Sequence, residues 1–580
     1  MGLGAAGAGM VGSIPSVAEA AGPGRRRGWI ESRIAAMSLE QKVGQLFVMH
    51  VYGADADTPD DRNTEAYGVA TGAEVVAKYH LGGVIYFTWS DNLPDPQAGA
   101  HLSNGLQQAA MSLPTRVQIP LTIATDQETG LVARMPAPAT VFPGAMALGA
   151  ARDPELTRET YRITGEELRA IGITCDYAPD ADVNINPANP VIGVRSFSSD
   201  PELVSQLVVA GVEGLQGAKV SATAKHFPGH GDTDVDSHTG FPVITHSREE
   251  WEQIDAPPFR AAIEAGIDAI MTAHIDFPAL DPSGDPATLS KDIITGLLRE
   301  ELGFDRVVVT DGLGMAGVRE KYGDAEVAVR AIEAGVDVLL QTPAADVQYE
   351  AVLDAVRSGR ISAERLDESV ARILGMKYDR GLTGDFQVDE DAVVATVGSA
   401  EHRDSAQQIT DHSITLLLDD AELVPLPTGS VYVTGWGETT TVALAEALAE
   451  HGHEATSRAT GADPSADQIT QAVEESAEAE VTVVLTYGAD AAPSQQKLVS
   501  ALLDAGRAVA VVAVKTPYDI AALEGVETYL ATYGYQPVSM VALAKVLAGD
   551  TLAAGRLPVS IPHTDDPDVE LYELGAGIDQ

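Results

Sequence analysis

Residues 225–242, KHFPGHGDTDVDSHTGFP, gather three histidines and three aspartates among glycines and prolines. Such groups can ligate a transition metal, bind calcium or move protons. His226, His230 and His238 could offer nitrogens to a metal, but this loop-like segment does not present two of them on one helix face as a zinc helix does. The run Asp232-x-Asp234-x-Asp236 opens like a calcium loop, yet position six is Ser237 instead of Gly and position twelve is Val243 instead of Glu. A hydrogen-bonded surface loop needs no such density of titratable groups. Proton transfer uses them more economically. Asp236 and His238 stand two residues apart, and a carboxylate on one imidazole nitrogen fixes the tautomer and raises the ring's basicity. The other nitrogen can then protonate a leaving group and later activate water. Asp311, closing the run RVVVTD, adds a separate carboxylate. One ionised carboxylate plus one proton donor is what acetal cleavage through a covalent intermediate requires. The glycines suit a loop that can close over a substrate.

These groups need a scaffold. Eight short apolar runs, at 44–51, 81–87, 121–126, 173–179, 222–226, 269–274, 306–311 and 336–341, alternate with stretches of helical periodicity such as 153–171, 201–216 and 251–266. The pattern predicts an α/β protein with an N-terminal (β/α)8 TIM-type barrel over residues 29–378, opened by a helix at 29–37 and closed by one at 362–378. In such barrels catalytic groups collect at the C-terminal strand ends. The residues there are Asp126, Lys225, His226, His274 and Asp311, a rim suited to a polar substrate. A looser acidic stretch, 379–405, reads as a linker. Residues 406–580 then repeat an α/β pattern, with strands predicted at 413–418, 430–434, 481–487, 508–514 and 528–533. That is a smaller α/β sandwich domain with a mainly parallel sheet. Between them, 462–480 reads as a solvated helix face.

The chain of 580 residues exceeds one ordinary domain. Asp and Glu total 85 against 37 Lys and Arg, a net charge of −48. Such a surface repels nucleic acid and anionic membranes, and serves solubility in a salty or extracellular setting. The single cysteine, Cys175, excludes an internal disulfide and an all-cysteine zinc site, and its place in a strand predicts a buried structural thiol. No apolar run reaches transmembrane length, so no membrane insertion is expected. Residues 1–20 are small and apolar and end in Ala18-Glu19-Ala20, like the cleavage region of an export signal without its basic segment. Residues 1–28 are therefore read as a signal-like or disordered segment outside the fold. A secreted or cell-envelope location is expected, with a cytoplasmic one as the alternative.

At the residues that carry the chemistry, the chain resembles glycoside hydrolase family 3, in the β-N-acetylglucosaminidase branch with a histidine acid/base. The resemblance covers nearly the whole length. Its most specific part is KHFPGHGDTDVDSHTGFPVI, followed by DQETG, NPANPVIGVRSF, MTAHIDFPALD and VVVTDGLGM, with HSITLLLDD opening the second domain. The chain departs from the pattern at Thr129, where the family has Gly, at Leu131 for Arg, at Val194 for an acidic residue and at Gly312 for Asp. The resemblance implies Asp311 as nucleophile and Asp236–His238 as the acid/base dyad. It implies Asp126, Arg134, Arg195, Lys225 and His226 as the groups that hold the sugar hydroxyls and N-acetyl region. His230 is left between a substrate contact and a loop brace, and His274 is expected to support the rim.

The implied activity is that of a retaining, exo-acting β-N-acetylglucosaminidase releasing terminal β-linked GlcNAc from cell-wall fragments or chitin-type oligosaccharides. No cofactor or metal is implied, and a monomer or weak dimer is expected. The family's β-glucosidase branch lacks the histidine loop and often takes its acid/base from the second domain, which here is expected only to pack or position. The competing readings are a phosphorylase, because a neutral histidine does not repel incoming phosphate as a carboxylate would, and a family β-glucosidase. A non-enzymatic sugar-binding barrel is disfavoured by the joint presence of Asp311, Asp236 and His238.

Overall fold

The structure is a computed structural model that describes residues 23–579 except 238, 320, 385, 565, 567 and 568. The signal-like reading of residues 1–20 falls outside the described residues. Eight short strands form the first domain: β1 Phe47–Met49, β2 Gly83–Ile85, β3 Thr122–Thr125, β4 Cys175–Asp176, β5 Thr223–Phe227, β6 Ala269–Thr272, β7 Val307–Thr310 and β8 Leu339–Leu340. Each lies within or against one of the eight apolar runs. Every strand is buried along its whole length, because helices cover a parallel sheet outside and side chains fill it inside.

All pairings among these strands are parallel. One sheet runs β4-β3-β2-β1-β8 and the other β5-β6-β7. Bridges Cys175–Ser221 and Asp180–Lys225 join β4 to β5, and Val309–Val338 joins β7 to β8, closing the ring. The barrel is complete. The helix Pro154–Ala170 starts on an Asp153 side-chain cap with Pro at its first turn, and Pro201–Gly217 repeats the device with Asp200. The stretch 251–266, expected as one helix, is two: Arg248–Gln253 and Ala256–Glu264. The second begins with Pro257 and Pro258, which fit a first turn but not a helix interior. Cys175 is buried, as its strand position predicts.

The second domain is a six-stranded sheet in the order β11-β10-β12-β13-β14-β9, from β9 Thr415–Asp419, β10 Ser430–Gly435, β11 Glu454–Ala459, β12 Val481–Thr486, β13 Val509–Ala513 and β14 Thr528–Ala531. Only β9 is antiparallel. Alternate residues feed two cores. Val431, Val433, Val483 and Val512 pack under helices Glu438–Glu450 and Pro537–Ala548, while Tyr432, Val484 and Val511 pack under Pro493–Asp504. This is the expected sandwich, with one strand the sequence did not suggest: β11, sequence EATSRA, is an edge strand without a buried residue. The stretch 379–405, expected to be loose, contains the start of a Ser399-capped helix, Ala400–Asp411.

The two domains share a core. Met146, Ala147, Ala150 and Val194 of the barrel sit in the cluster formed by Leu498, Tyr518 and Tyr529. Ser198 donates to the Pro558 carbonyl, and Asn184 Nδ2 reaches Tyr518 Oη at 3.4 Å. The second domain thereby braces residues 184–199, which carry Arg195.

Candidate active site

A cavity of about 210 Å³ opens at the C-terminal ends of the barrel strands. A recess of this size, with its polar lining, suits one sugar residue better than a disaccharide. Asp126, Arg134, Arg195, Lys225, His226 and Asp311 all line it. Six of the eight residues singled out from sequence thus meet in one place, drawn from three strand ends and two loops.

Local structure accounts for each position. Asp126 and Glu128 follow β3, and the backbone N–H of Gln127 is anchored on Asp176 Oδ1 at 2.8 Å. Gln127 Oε1 accepts from the N–H groups of Arg134 (2.7 Å) and Met135 (3.0 Å), which folds the DQETG turn so that Arg134 faces the cavity. Lys225 and His226 are consecutive, yet both face the cavity. The pairing of β5 with β6 shifts register between Ala224 and Phe227, which breaks the usual alternation of faces. Arg195 ends the 3₁₀ turn Gly193–Arg195, set by Asn189, whose Oδ1 accepts from Val191 and Ile192 N–H. Asn189 Nδ2 also donates to the carbonyls of His230 (3.0 Å) and Gly231 (3.1 Å). One side chain therefore fixes both the arginine turn and the histidine loop.

The charges form a closed network. Arg195 Nε and Nη2 each lie 2.7 Å from a carboxylate oxygen of Glu128. Lys225 Nζ contacts Glu128 at 2.5 Å and Asp126 at 3.0 Å. Burial opposes ionisation of Glu128, but Arg195 and Lys225 outweigh it and hold the carboxyl far below the usual range. His226 Nδ1 pairs with Asp182 Oδ2 at 2.7 Å, and its Nε2 lies 3.4 Å from Arg195. Asp180, Asp182 and His226 bring ligand-type atoms within 4.8 Å of one another. The guanidinium of Arg195, 3.9 Å from Asp180, already fills the electrostatic role a cation would take there.

Asp311 follows β7, half-buried, with Oδ1 accepting from the Gly312 N–H at 2.6 Å. Burial pushes its pKa up, but His226, His274, that N–H and Lys225 bring it below the usual value. His274 stands behind it, with Nε2 3.1 Å from the Gly312 carbonyl and Nδ1 2.8 Å from Thr288 Oγ1. The carboxylate is held ionised and aimed into the cavity, as a nucleophile must be.

The histidine loop supplies one wall. His230 and Ser237 line the cavity, and His230 Nε2 lies 3.0 Å from Ser237 Oγ. The His230 N–H donates to Asp182 at 2.7 Å, and burial lowers the ring's pKa to about 4, so His230 is neutral and braces the loop while facing the cavity. The Asp236 carbonyl accepts from the N–H groups of Thr239 (3.0 Å) and Gly240 (2.8 Å), a tight turn that sets Ser237 against the cavity. Asp236 itself is half-buried and is not part of the lining. The dyad partner expected from the sequence, His238, lies outside the described residues.

Two residues of the network were not picked out from the sequence. Glu128 stands inside the DQETG motif, two residues beyond a strand-end aspartate, and that position was its signal. Asp182 follows β4 in the run Asp180-Ala-Asp182, at a strand end that contributes no residue to the rim expected from sequence.

Known proteins with this architecture match along most of the chain. The glycosyl hydrolase family 3 N terminal domain matches residues 38–376, and the family 3 C-terminal domain matches residues 389–579. Beta-hexosaminidase A of Pseudoalteromonas piscicida is 34% identical over 554 residues, covering 85% of this chain and 91% of that protein. A beta-N-acetylglucosaminidase/beta-glucosidase of Cellulomonas fimi is 29% identical over 566 residues, covering 92% and 95%. Among solved structures, a family 3 beta-N-acetylglucosaminidase from Paenibacillus sp. str. FPU-7 superposes with a TM-score of 0.81 at 39% identity, covering 90% of this chain and 99% of that one. The chain belongs to glycosyl hydrolase family 3.

Proposed function

We propose that this protein is a retaining, exo-acting β-N-acetylglucosaminidase, with Asp311 as nucleophile and the Asp236–His238 pair as acid/base. The observation that carries the reading is a single-sugar cavity with an ionised Asp311 facing Asp126, Lys225, His226 and Arg195. Asp311 attacks the anomeric carbon as the dyad protonates the departing oxygen, and the same dyad then activates water to release the sugar. Asp126 accepts from sugar hydroxyls, while Arg134, Arg195 and Lys225 donate. The named activities of the similar proteins support the acetamido sugar as donor. Terminal β-linked GlcNAc on cell-wall fragments or chitin-type chains, met outside the cytoplasm, is the substrate and setting we propose.

The test compares kcat/KM on an aryl β-N-acetylglucosaminide and an aryl β-glucoside, with Asp311→Ala as control. Strong preference for the acetamido sugar, abolished in the variant, supports the assignment. Equal or reversed preference overturns the substrate, and turnover unaffected by the substitution overturns the site. Adding millimolar phosphate separates hydrolysis from phosphorolysis, since only the latter yields a sugar 1-phosphate.

A further inference from the structure

The single-sugar cavity leaves the rest of a substrate outside it, and one side chain stacked against its lining has no role in the chemistry above. Trp89 is 49% exposed, the one Phe, Tyr or Trp among the described residues whose side chain is largely open to solvent. Its loop, 88–92, is nevertheless firmly built. Ser90 and Asn92 are fully buried: Ser90 Oγ donates to the Phe87 carbonyl at 2.9 Å, and Asn92 Nδ2 donates to Val51 and Gly53 at 2.9 Å each. The Gly53 N–H returns a bond to the Ser90 carbonyl at 2.9 Å. An exposed indole on a pre-ordered loop loses little freedom when a ligand settles on it.

The location ties this indole to the sugar site. Trp89 stacks on Phe87 with centroids 4.8 Å apart and planes 21° apart, and Phe87 lines the cavity. The rings of His50 and Tyr52 meet Trp89 edge-on at 4.9 and 5.9 Å. Both ring nitrogens of His50 are buried without a hydrogen-bond partner in the described structure. Around this aromatic box the charge is net negative: Arg62, stacked over the Tyr52 ring, bridges Asp60 and Asp91, while Asp57 and Asp61 of the same chain segment are exposed.

We infer that Trp89 is the platform for the second sugar of the substrate, stacking the flat face of a neutral pyranose in the leaving-group position. The inference rests on the glycosidase reading above. An indole face takes the C–H groups of a pyranose, and the acidic rim disfavours a carboxylate on that ring. The substrate class is thereby a neutral, chitin-type oligosaccharide in preference to a disaccharide whose second sugar bears an acidic ether.

Three donors test this: chitotriose, a GlcNAc disaccharide with an acidic second sugar, and β-N-acetylglucosaminyl fluoride, whose leaving group has no ring. Trp89→Ala is expected to lower kcat/KM on chitotriose at least about ten-fold more than on the fluoride, mainly through KM, and Trp89→Phe to recover part of the difference. Wild type is expected to prefer chitotriose over the acidic disaccharide. Equal losses on chitotriose and fluoride, or no loss on either, overturn the platform while leaving the glycosidase reading intact. Preference for the acidic disaccharide overturns the substrate class. Wild-type protein that cleaves none of the three overturns the underlying reading and the platform with it.

Discussion

Arg195 lies flat against Glu128, two nitrogens meeting two carboxylate oxygens at 2.7 Å, and Lys225 closes on the same carboxylate from the other side. Glu128 is 3% exposed, so its charge has exchanged water for these two cations. Both are groups expected to touch the sugar, and Glu128 holds them at fixed positions. Removing it takes from Arg195 its two-pronged carboxylate partner and leaves Lys225 with Asp126 alone. Glu128→Ala is expected to destabilise the fold by about 3–5 kcal/mol, the usual cost of breaking a buried pair on one side. A denaturant titration reads this directly, and a loss below about 1 kcal/mol would show that the network is not structurally required.

Asp311 gives a prediction in pH. Its carboxyl sits below the usual value despite burial, because His226, His274, the Gly312 N–H and Lys225 favour the ionised form. The acid limb of kcat/KM should therefore fall below about pH 4, the ordinary aspartate range. Lys225→Met removes one of those positive neighbours and should move the limb upward. Asp311→Asn should lower turnover on the order of 10⁴-fold or more. An acid limb unmoved by Lys225→Met would mean that another group sets it.

The barrel was legible in the sequence because a parallel strand buried on both faces is a continuous apolar run, as in Val307–Thr310. Strand β11 was not, since an edge strand with only partly buried side chains needs no apolar residues and EATSRA has none but alanine. The candidate site was legible where motifs concentrate it, at Lys225, His226 and Asp311. Glu128 and Asp182 were missed for a different reason. Their importance comes from partners 67 and 44 residues away, Arg195 and His226, which only the closed barrel brings near. The Trp89 box is likewise assembled from the ends of β1 and β2, and no local spacing announces it.

Thr129 stands where the family pattern has Gly, and the backbone shows the consequence. Its φ is +76°, a left-handed conformation that a β-branched residue adopts only at a cost, and its hydroxyl is buried without a partner in the described structure. Thr129→Gly relieves about 1–2 kcal/mol of backbone strain, against about 0.5–1 kcal/mol of added chain entropy. The variant should be more stable by about 1 kcal/mol, with the Asp126–Glu128 geometry kept. Chemical denaturation checks it, and a destabilised variant would show that the Thr129 side chain contributes packing that outweighs the strain.

His246 clasps the histidine loop from outside the cavity. Its Nε2 lies 3.1 Å from Asp232 in that loop, and its Nδ1 lies 2.7 Å from Asp255 at the head of helix Ala256–Glu264. Hydrogen bonds to Asp232 and Asp255 raise its pKa to about 10, above the ordinary value of about 6.5. A raised folded-state pKa means that the clasp's contribution is complete below about pH 6.5 and is lost as pH climbs towards 10. Asp255, pushed up to about 6 chiefly by burial, acts in a lower window: its ionisation disfavours the fold between about pH 4 and 6. Hydrogen exchange across residues 228–246 should therefore accelerate between pH 7 and 10, after correction for the intrinsic rate. In His246→Gln the same amides should exchange faster at pH 7 and show no further pH-dependent step. A wild-type loop whose protection is flat from pH 7 to 10 would mean that the contacts from Asn189, Asp182 and Ser237 hold it without the clasp.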